Sequence, residues 1–347
     1  MLQFTDNMKL LFKKTSFAVL TAALVSFCGA TVYSMNNDPA CNSHPQDPYS
    51  PSLRMSKGRY QGQCMDTSGK RAVQVLEERG NDEMTVANFR QNGRFYTAVI
   101  PLQQIEKISY VIVDLNPHPI NFLSLLNISH TELRFKFKAD ARIALTPQEP
   151  GSDSTRELAG NDLMVSFNYM APAGVDYNPL KGFNADLYGS VLQSFSSQDE
   201  FKNRFTLKKI NMYEVTLDTT PEQSASILKK ALEMSSKAQY SIPYDTWSSN
   251  CTTYLFDILD AGMGFKRQTP YRFKPWMVND TGMIPALYAL NERGLIHDQT
   301  VLRLLNSEFG YPRFDSDSNR YYGYWINKSF GQIKAQQAPQ PIYNKTF

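Results

Sequence analysis

The sequence has no Cys-x-x-Cys, no His-Glu-x-x-His and no dense cluster of carboxylates, so it presents no ready set of metal ligands. It has no glycine-rich loop following a strand to cradle a phosphate, and no cofactor is expected. Excess charge of one sign is also scarce. The net charge is +3, and the basic residues are scattered rather than gathered in a stripe, which sets nucleic acid aside as a partner. No internal repeat is present, and no second apolar run of membrane-spanning length follows the first. With 42% hydrophobic and 20% charged residues, the chain can bury one sizeable core or two modest ones.

The N-terminus differs from the rest. Lys9, Lys13 and Lys14 precede a charge-free apolar run from Ser16 to Val32, and the polar stretch Met35-Asn36-Asn37-Asp38 follows. A basic start, apolar core and polar exit describe an export signal. At about 17 residues the run lies at the lower edge of a membrane span, so an uncleaved anchor, with membrane association through this segment, is the alternative. Phe27 before Cys28 fits a lipoprotein signal poorly. The expected location is the periplasm or cell envelope.

Outside the signal remain Cys41, Cys64 and Cys251. Cys41 and Cys64 lie close together in a Pro/Gly/Ser-rich segment, and an oxidising compartment would pair them. Cys251 is left alone, as either an inert buried thiol or a reactive one.

Residues 1–34 thus read as signal peptide or anchor, 35–92 as an irregular lead-in with a disulfide, 93–265 as the core, and 266–347 as a C-terminal extension or cap. Strands are expected at Arg94–Leu102, Lys107–Leu115, around Leu133–Phe137, at Asp162–Asn168 and at Asn211–Leu217. Asn116-Pro117-His118-Pro119 should form a turn. Thr220-Pro221-Glu222-Gln223 has the hydroxyl cap, the proline and the glutamine of a helix start. That helix should run to about Gln239. A second runs from Cys251 to Asp260, stopped by Gly262 and Gly264, and a third lies near Ile284–Arg293. Strands grouped around two long helices indicate an α+β fold.

Cys251 falls in the first turn of its helix, on the stripe continued by Leu255, Ile258 and Leu259. Unpaired N–H groups and the helix dipole favour a thiolate there, and the same groups suit a developing oxyanion. A thiol nucleophile needs a base, and the four histidines limit the choice. His44 lies in the lead-in, His297 at a surface helix start, and His118 between prolines in a turn. His130 opens a strand, although strand alternation puts it on the Glu132/Arg134 side; a strand buried on both faces would remove that difficulty. Asp257 and Asp260 read as solvated. Tyr244, Trp247, Tyr271 and Trp276 either line a groove or pack.

The blocks Ile128-Ser129-His130-Thr131-Glu132-Leu133-Arg134-Phe135 and Asn250-Cys251-Thr252-Thr253 resemble the DUF4105, or Lnb N-terminal periplasmic, family. Phe167-Asn168-Tyr169-Met170-Ala171-Pro172 and Asn178-Pro179-Leu180-Lys181-Gly182 resemble its middle block. The likeness covers roughly residues 105 to 265, with Pro275–Gly282 as a further stretch. It implies a papain-like fold of the permuted NlpC/P60 type: an antiparallel sheet against helices, with the cysteine at a helix N-terminus. It also implies Cys251 as nucleophile and His130 as base. Asn168 is the first choice for the group orienting the imidazole, with Glu132 and Asp140 as others. Asn250 reads equally as oxyanion donor and as helix cap, and Trp247 and Tyr244 as substrate neighbours.

The function expected is a cell-envelope cysteine hydrolase or acyltransferase acting on an amide or ester carbonyl. A peptidoglycan peptide is the favoured substrate, and a lipid or lipoprotein acyl group the alternative. A non-catalytic binding or scaffold protein is the further alternative.

Overall fold

The computed structural model describes residues 35–115, 129–149, 157–158, 160–176, 178, 187–245, 249–265, 283–297, 300 and 302–314. The signal or anchor with Cys28, the turn at His118, Trp247, Tyr271, Trp276, Pro179–Gly182 and the C-terminal tail lie outside the described residues.

Fourteen strands are described. They are β1 (Met35–Asn37), β2 (Leu53–Met55), β3 (Gln74–Arg79), β4 (Glu83–Gln91), β5 (Arg94–Pro101), β6 (Ile105–Asp114) and β7 (Ser129–Phe137), then β8 (Ala144–Pro147), β9 (Glu157–Leu158), β10 (Asp162–Met170), β11 (Tyr188–Ser196), β12 (Met212–Thr216), β13 (Pro243–Tyr244) and β14 (Arg303–Leu304). The helices are α1 (Ser197–Phe201), continued by a π-helical turn over Lys202–Leu207, α2 (Pro221–Ala238), α3 (Cys251–Met263) and α4 (Met283–Glu292).

Apart from the small β1–β2 pair, these strands join in one sheet of order β14-β12-β6-β7-β10-β11-β4-β5-β8-β9, with β13 on β11 and β3 on β4. The expectation of an antiparallel sheet needs correction: the fold is α+β, but the sheet is mixed. Phe195 of β11 pairs with Arg90 of β4 in parallel, which joins two antiparallel halves. Strand β4 changes neighbour at a bulge between Val86 and Phe89, where Asn88 takes φ 65°. Before it β4 pairs with β3; after it β4 meets β11. Residues 74–91, read from sequence as lead-in, are therefore strands of the main sheet. They form one hairpin system with β5, turned at Asn92-Gly93, both at positive φ.

The lead-in before them is stapled as expected by the Cys41–Cys64 disulfide. A buried ion pair between Arg71 and Asp47 fixes it further.

The central strands are buried on both faces. On one face Ile112, Leu133, Phe135, Val165 and Leu192 meet Leu228 and Leu232 of α2 and Leu255 and Leu259 of α3. On the other Val111, Val113, Met164 and Phe195 meet Phe201 and Phe205 of α1 and its π turn, with Leu305. The β7 pattern reads as half-exposed in sequence, yet Thr131, Glu132, Leu133 and Arg134 are all 1% exposed or less. The second cover is polar where it meets them. Arg134 bonds Asp162 (2.6 Å), Glu214 (3.2 Å) and Glu308 (2.8 Å), so the charges are buried in pairs.

Helix α2 starts as its sequence demands. Thr220 Oγ1 accepts from the Gln223 N–H, and Gln223 Oε1 accepts from the Thr220 N–H. Helix α3 runs past Gly262 to Met263, and Gly264 closes it at φ 68°. Gly262 is thus a contact rather than a stop: a Cβ there would lie 2.5 Å from Ile227 Cα of α2. Asp260, expected in solvent, is buried against Arg293 (2.7 Å and 2.9 Å), which follows α4.

Candidate active site

Asn250 sets the start of α3. Its side-chain oxygen accepts from the N–H groups of Thr252 (2.9 Å) and Thr253 (3.0 Å), and Thr253 Oγ1 accepts from the Asn250 N–H (3.0 Å). Tyr254 N–H donates to the Asn250 carbonyl. Of the two readings of Asn250, the structure gives its Oδ1 to the cap. Among the described residues, the Cys251 N–H is then the first-turn donor left without a partner.

The helix opens against the beginning of β7. Thr252 Oγ1 lies 3.2 Å from Thr131 Oγ1, which seats the first turn on the strand. That seating brings Cys251 to the His130–Thr131 end of β7, where the imidazole and the Thr131 N–H and hydroxyl act on the acidity of the thiol. Burial alone would push the thiol pKa up. The positive charge and hydrogen bond of His130, then the two Thr131 donors, outweigh it and bring the thiol down to about 7. Burial alone would likewise lower His130. The Cys251 charge and hydrogen bond, then Glu132, raise the imidazole to about 9. Each group thus favours the charged form of the other. Both residues are nearly closed off, at 3% and 8% exposure.

Beyond the imidazole lies a polar chain. His130 Nε2 is 2.8 Å from Ser166 Oγ and 3.3 Å from Glu132 Oε1. Asn168, the first choice for the orienting group, stands one step further out: its Nδ2 donates to Ser166 Oγ and to Gln193 Oε1, both at 3.0 Å. Gln193 Nε2 in turn donates to the Gly69 carbonyl (3.0 Å). Glu132 is buried, with Arg204 of the π turn 3.9 Å away. Asp140 is exposed in a turn after β7 and takes no part.

Residues 103–278, half of the chain, match the profile of the Lnb N-terminal periplasmic domain. The chain belongs to that family. The matched span of this Lnb-type domain holds both His130 and Cys251, together with Glu132, Ser166 and Asn168. The strands before residue 103, which complete the sheet, precede the match. A periplasmic domain family marks an envelope protein, and among the described residues no helix is long and apolar enough to cross a membrane. No curated protein and no solved structure matches the chain.

The remaining expected residues divide. Tyr244 is buried and stacks with Phe167 at 6.0 Å, so its ring belongs to the core rather than to a groove. His44 is a loop residue, and His297 is exposed and 2.8 Å from Asp218. Sequence reasoning missed Thr131, Ser166, Gln193 and Arg204. Ser166 was within reach, two residues from Asn168 on the same face of β10. Gln193 is legible only from the register that sets it opposite Ser166.

Proposed function

We propose that this Lnb-family domain is an envelope cysteine acyl-transfer enzyme of papain-like build. Cys251 is its nucleophile, His130 its acid and base, and Glu132 with Ser166 the groups that hold the imidazole. The observation that carries the reading is a lone thiol at a capped helix N-terminus that is seated on the strand start holding an imidazole backed by a buried carboxylate. A structural cysteine needs neither the imidazole nor the carboxylate, and burying both costs free energy.

In the proposed cycle the thiolate adds to an amide or ester carbonyl, and the N–H of Cys251 donates to the resulting oxyanion. The C–N or C–O bond breaks as His130 gives its proton to the leaving amine or alcohol. Water, or an acceptor amine or alcohol, then attacks the thioester and loses its proton to His130. The C–S bond breaks and the thiolate returns. The chemistry is the same for a cell-wall peptide and for a lipid or lipoprotein acyl group.

The test offers the full chain muropeptides in one arm and phospholipids or a diacylated lipopeptide in the other, with Cys251→Ala as control. Products and the intact-protein mass are read by mass spectrometry. The proposal expects turnover in one arm, lost in Cys251→Ala, and an acyl adduct on Cys251. Turnover that survives in Cys251→Ala removes Cys251 as the nucleophile, and none in either arm with Cys251 unmodified leaves the non-catalytic binding protein as the reading.

A further inference from the structure

The π turn that brings Arg204 to Glu132 has a second face, which the mechanism does not use. Two large hydrophobic side chains are exposed among the described residues, and Leu207 at 77% is the more open. Its neighbours in the chain are turned inward: Phe205 is 1% exposed and Ile210 7%. Around Leu207 stand the exposed Lys202, Lys208 and Lys209, with Arg313 exposed on the adjoining segment. Half-buried Tyr311 joins the two, with its hydroxyl 2.9 Å from Thr206 Oγ1.

The two carboxylates of the same stretch have basic partners of their own. Asp199 is held by Arg90 at 3.2 Å, and Glu200 is buried against Arg204. Asp176 is an exposed carboxylate whose charge reaches Lys208.

The backbone is unusual here as well. A π turn is rare, and Lys209 takes φ 51°, a region lysine seldom adopts. That reversal sends the chain from outward Leu207 to inward Ile210 within three residues. An apolar tip, a tyrosine at its base and a ring of lysines is the composition of an interfacial membrane contact.

We infer that the turn Lys202–Lys209 docks on an anionic lipid surface, with Leu207 entering the acyl boundary and Lys202, Lys208 and Lys209 on the headgroup phosphates. The docking stands on the surface alone. That it presents an acyl donor to Cys251, through the turn that also carries Arg204, rests on the function proposed above.

The experiment is sedimentation of the full chain with vesicles of phosphatidylcholine alone and of phosphatidylcholine with phosphatidylglycerol, paired with hydrogen–deuterium exchange. Binding should require phosphatidylglycerol, and exchange should slow over residues 202–209. Leu207→Ser should weaken binding about tenfold, and Lys208→Glu/Lys209→Glu by at least about fivefold per lysine. A melting curve checks that each variant folds, and Cys251→Ala should bind like the parent chain. Equal binding to neutral vesicles, protection confined to the N-terminal segment, or binding indifferent to both variants would overturn the inference. Absence of vesicle binding would overturn it too and leave an acidic protein partner. None of these outcomes depends on turnover, so the docking and the acyl-transfer reading fail separately.

Discussion

At Glu132 the chain buries a carboxylate with one oxygen 3.3 Å from His130 and the other lacking a hydrogen bond among the described residues. A charge so placed favours the imidazolium, and Glu132→Gln removes it while keeping the shape. A hydrogen bond to a charged group is worth roughly 1.5–3 kcal/mol, so the variant should lose about ten- to a hundred-fold in rate. The alkaline limb of its pH profile should also move to lower pH, because His130 then gives up its proton earlier. An unchanged profile, measured on whichever substrate the enzyme turns over, would make Glu132 merely structural. That Cys251 opens a helix and His130 a strand was legible in the sequence, because both are local features. The orienting group was not, because which of Glu132, Ser166 and Asn168 meets the ring depends on how β7 and β10 lie beside each other.

At the scale of elements, the close approach of α2 and α3 holds the Cys251 helix against the sheet. Gly262 permits it, since a side chain there would meet Ile227 backbone at 2.5 Å. Gly262→Ala should therefore destabilise the fold by about 1–3 kcal/mol, despite alanine's better helix propensity. Urea unfolding followed by circular dichroism checks it, and a gain in stability would show that the helices can part freely. The sequence marked Gly262 as a helix stop because glycine punctuates helices more often than it serves contacts. The capping box of α2 was readable in full, because all its partners lie within four residues. The strands β3, β4, β8 and β11 escaped notice. In β11, Tyr-Gly-Ser-Val-Leu-Gln-Ser-Phe-Ser alternates weakly, and burial on both faces erases the contrast that periodicity needs.

Over the whole molecule, the lead-in is part of the site's support rather than an appendage. The disulfide ends at Cys64, and Gly69 five residues on receives the Gln193 end of the polar chain from His130. Cys41→Ser with Cys64→Ser opens a loop of sequence separation 23, which should cost about 3 kcal/mol. The denaturant midpoint should fall, and the rate of Cys251 modification should drop with it as the Gln193 contact loosens. A lower midpoint with unchanged Cys251 reactivity would place the lead-in outside the site. The pairing of these cysteines was readable from cell compartment and spacing, but the sheet they brace was not.

The central claim is that Cys251 is a reachable thiol ionised by His130, and its alkylation rate tests this most directly. The folded full chain is treated with iodoacetamide from about pH 5 to about pH 10, with modification assigned to Cys251 by peptide mass spectrometry. The rate should rise with a midpoint near 7, and His130→Ala should move that midpoint to higher pH. A thiol that resists alkylation throughout while the chain stays folded, or one whose midpoint is the same with and without His130, would contradict the account.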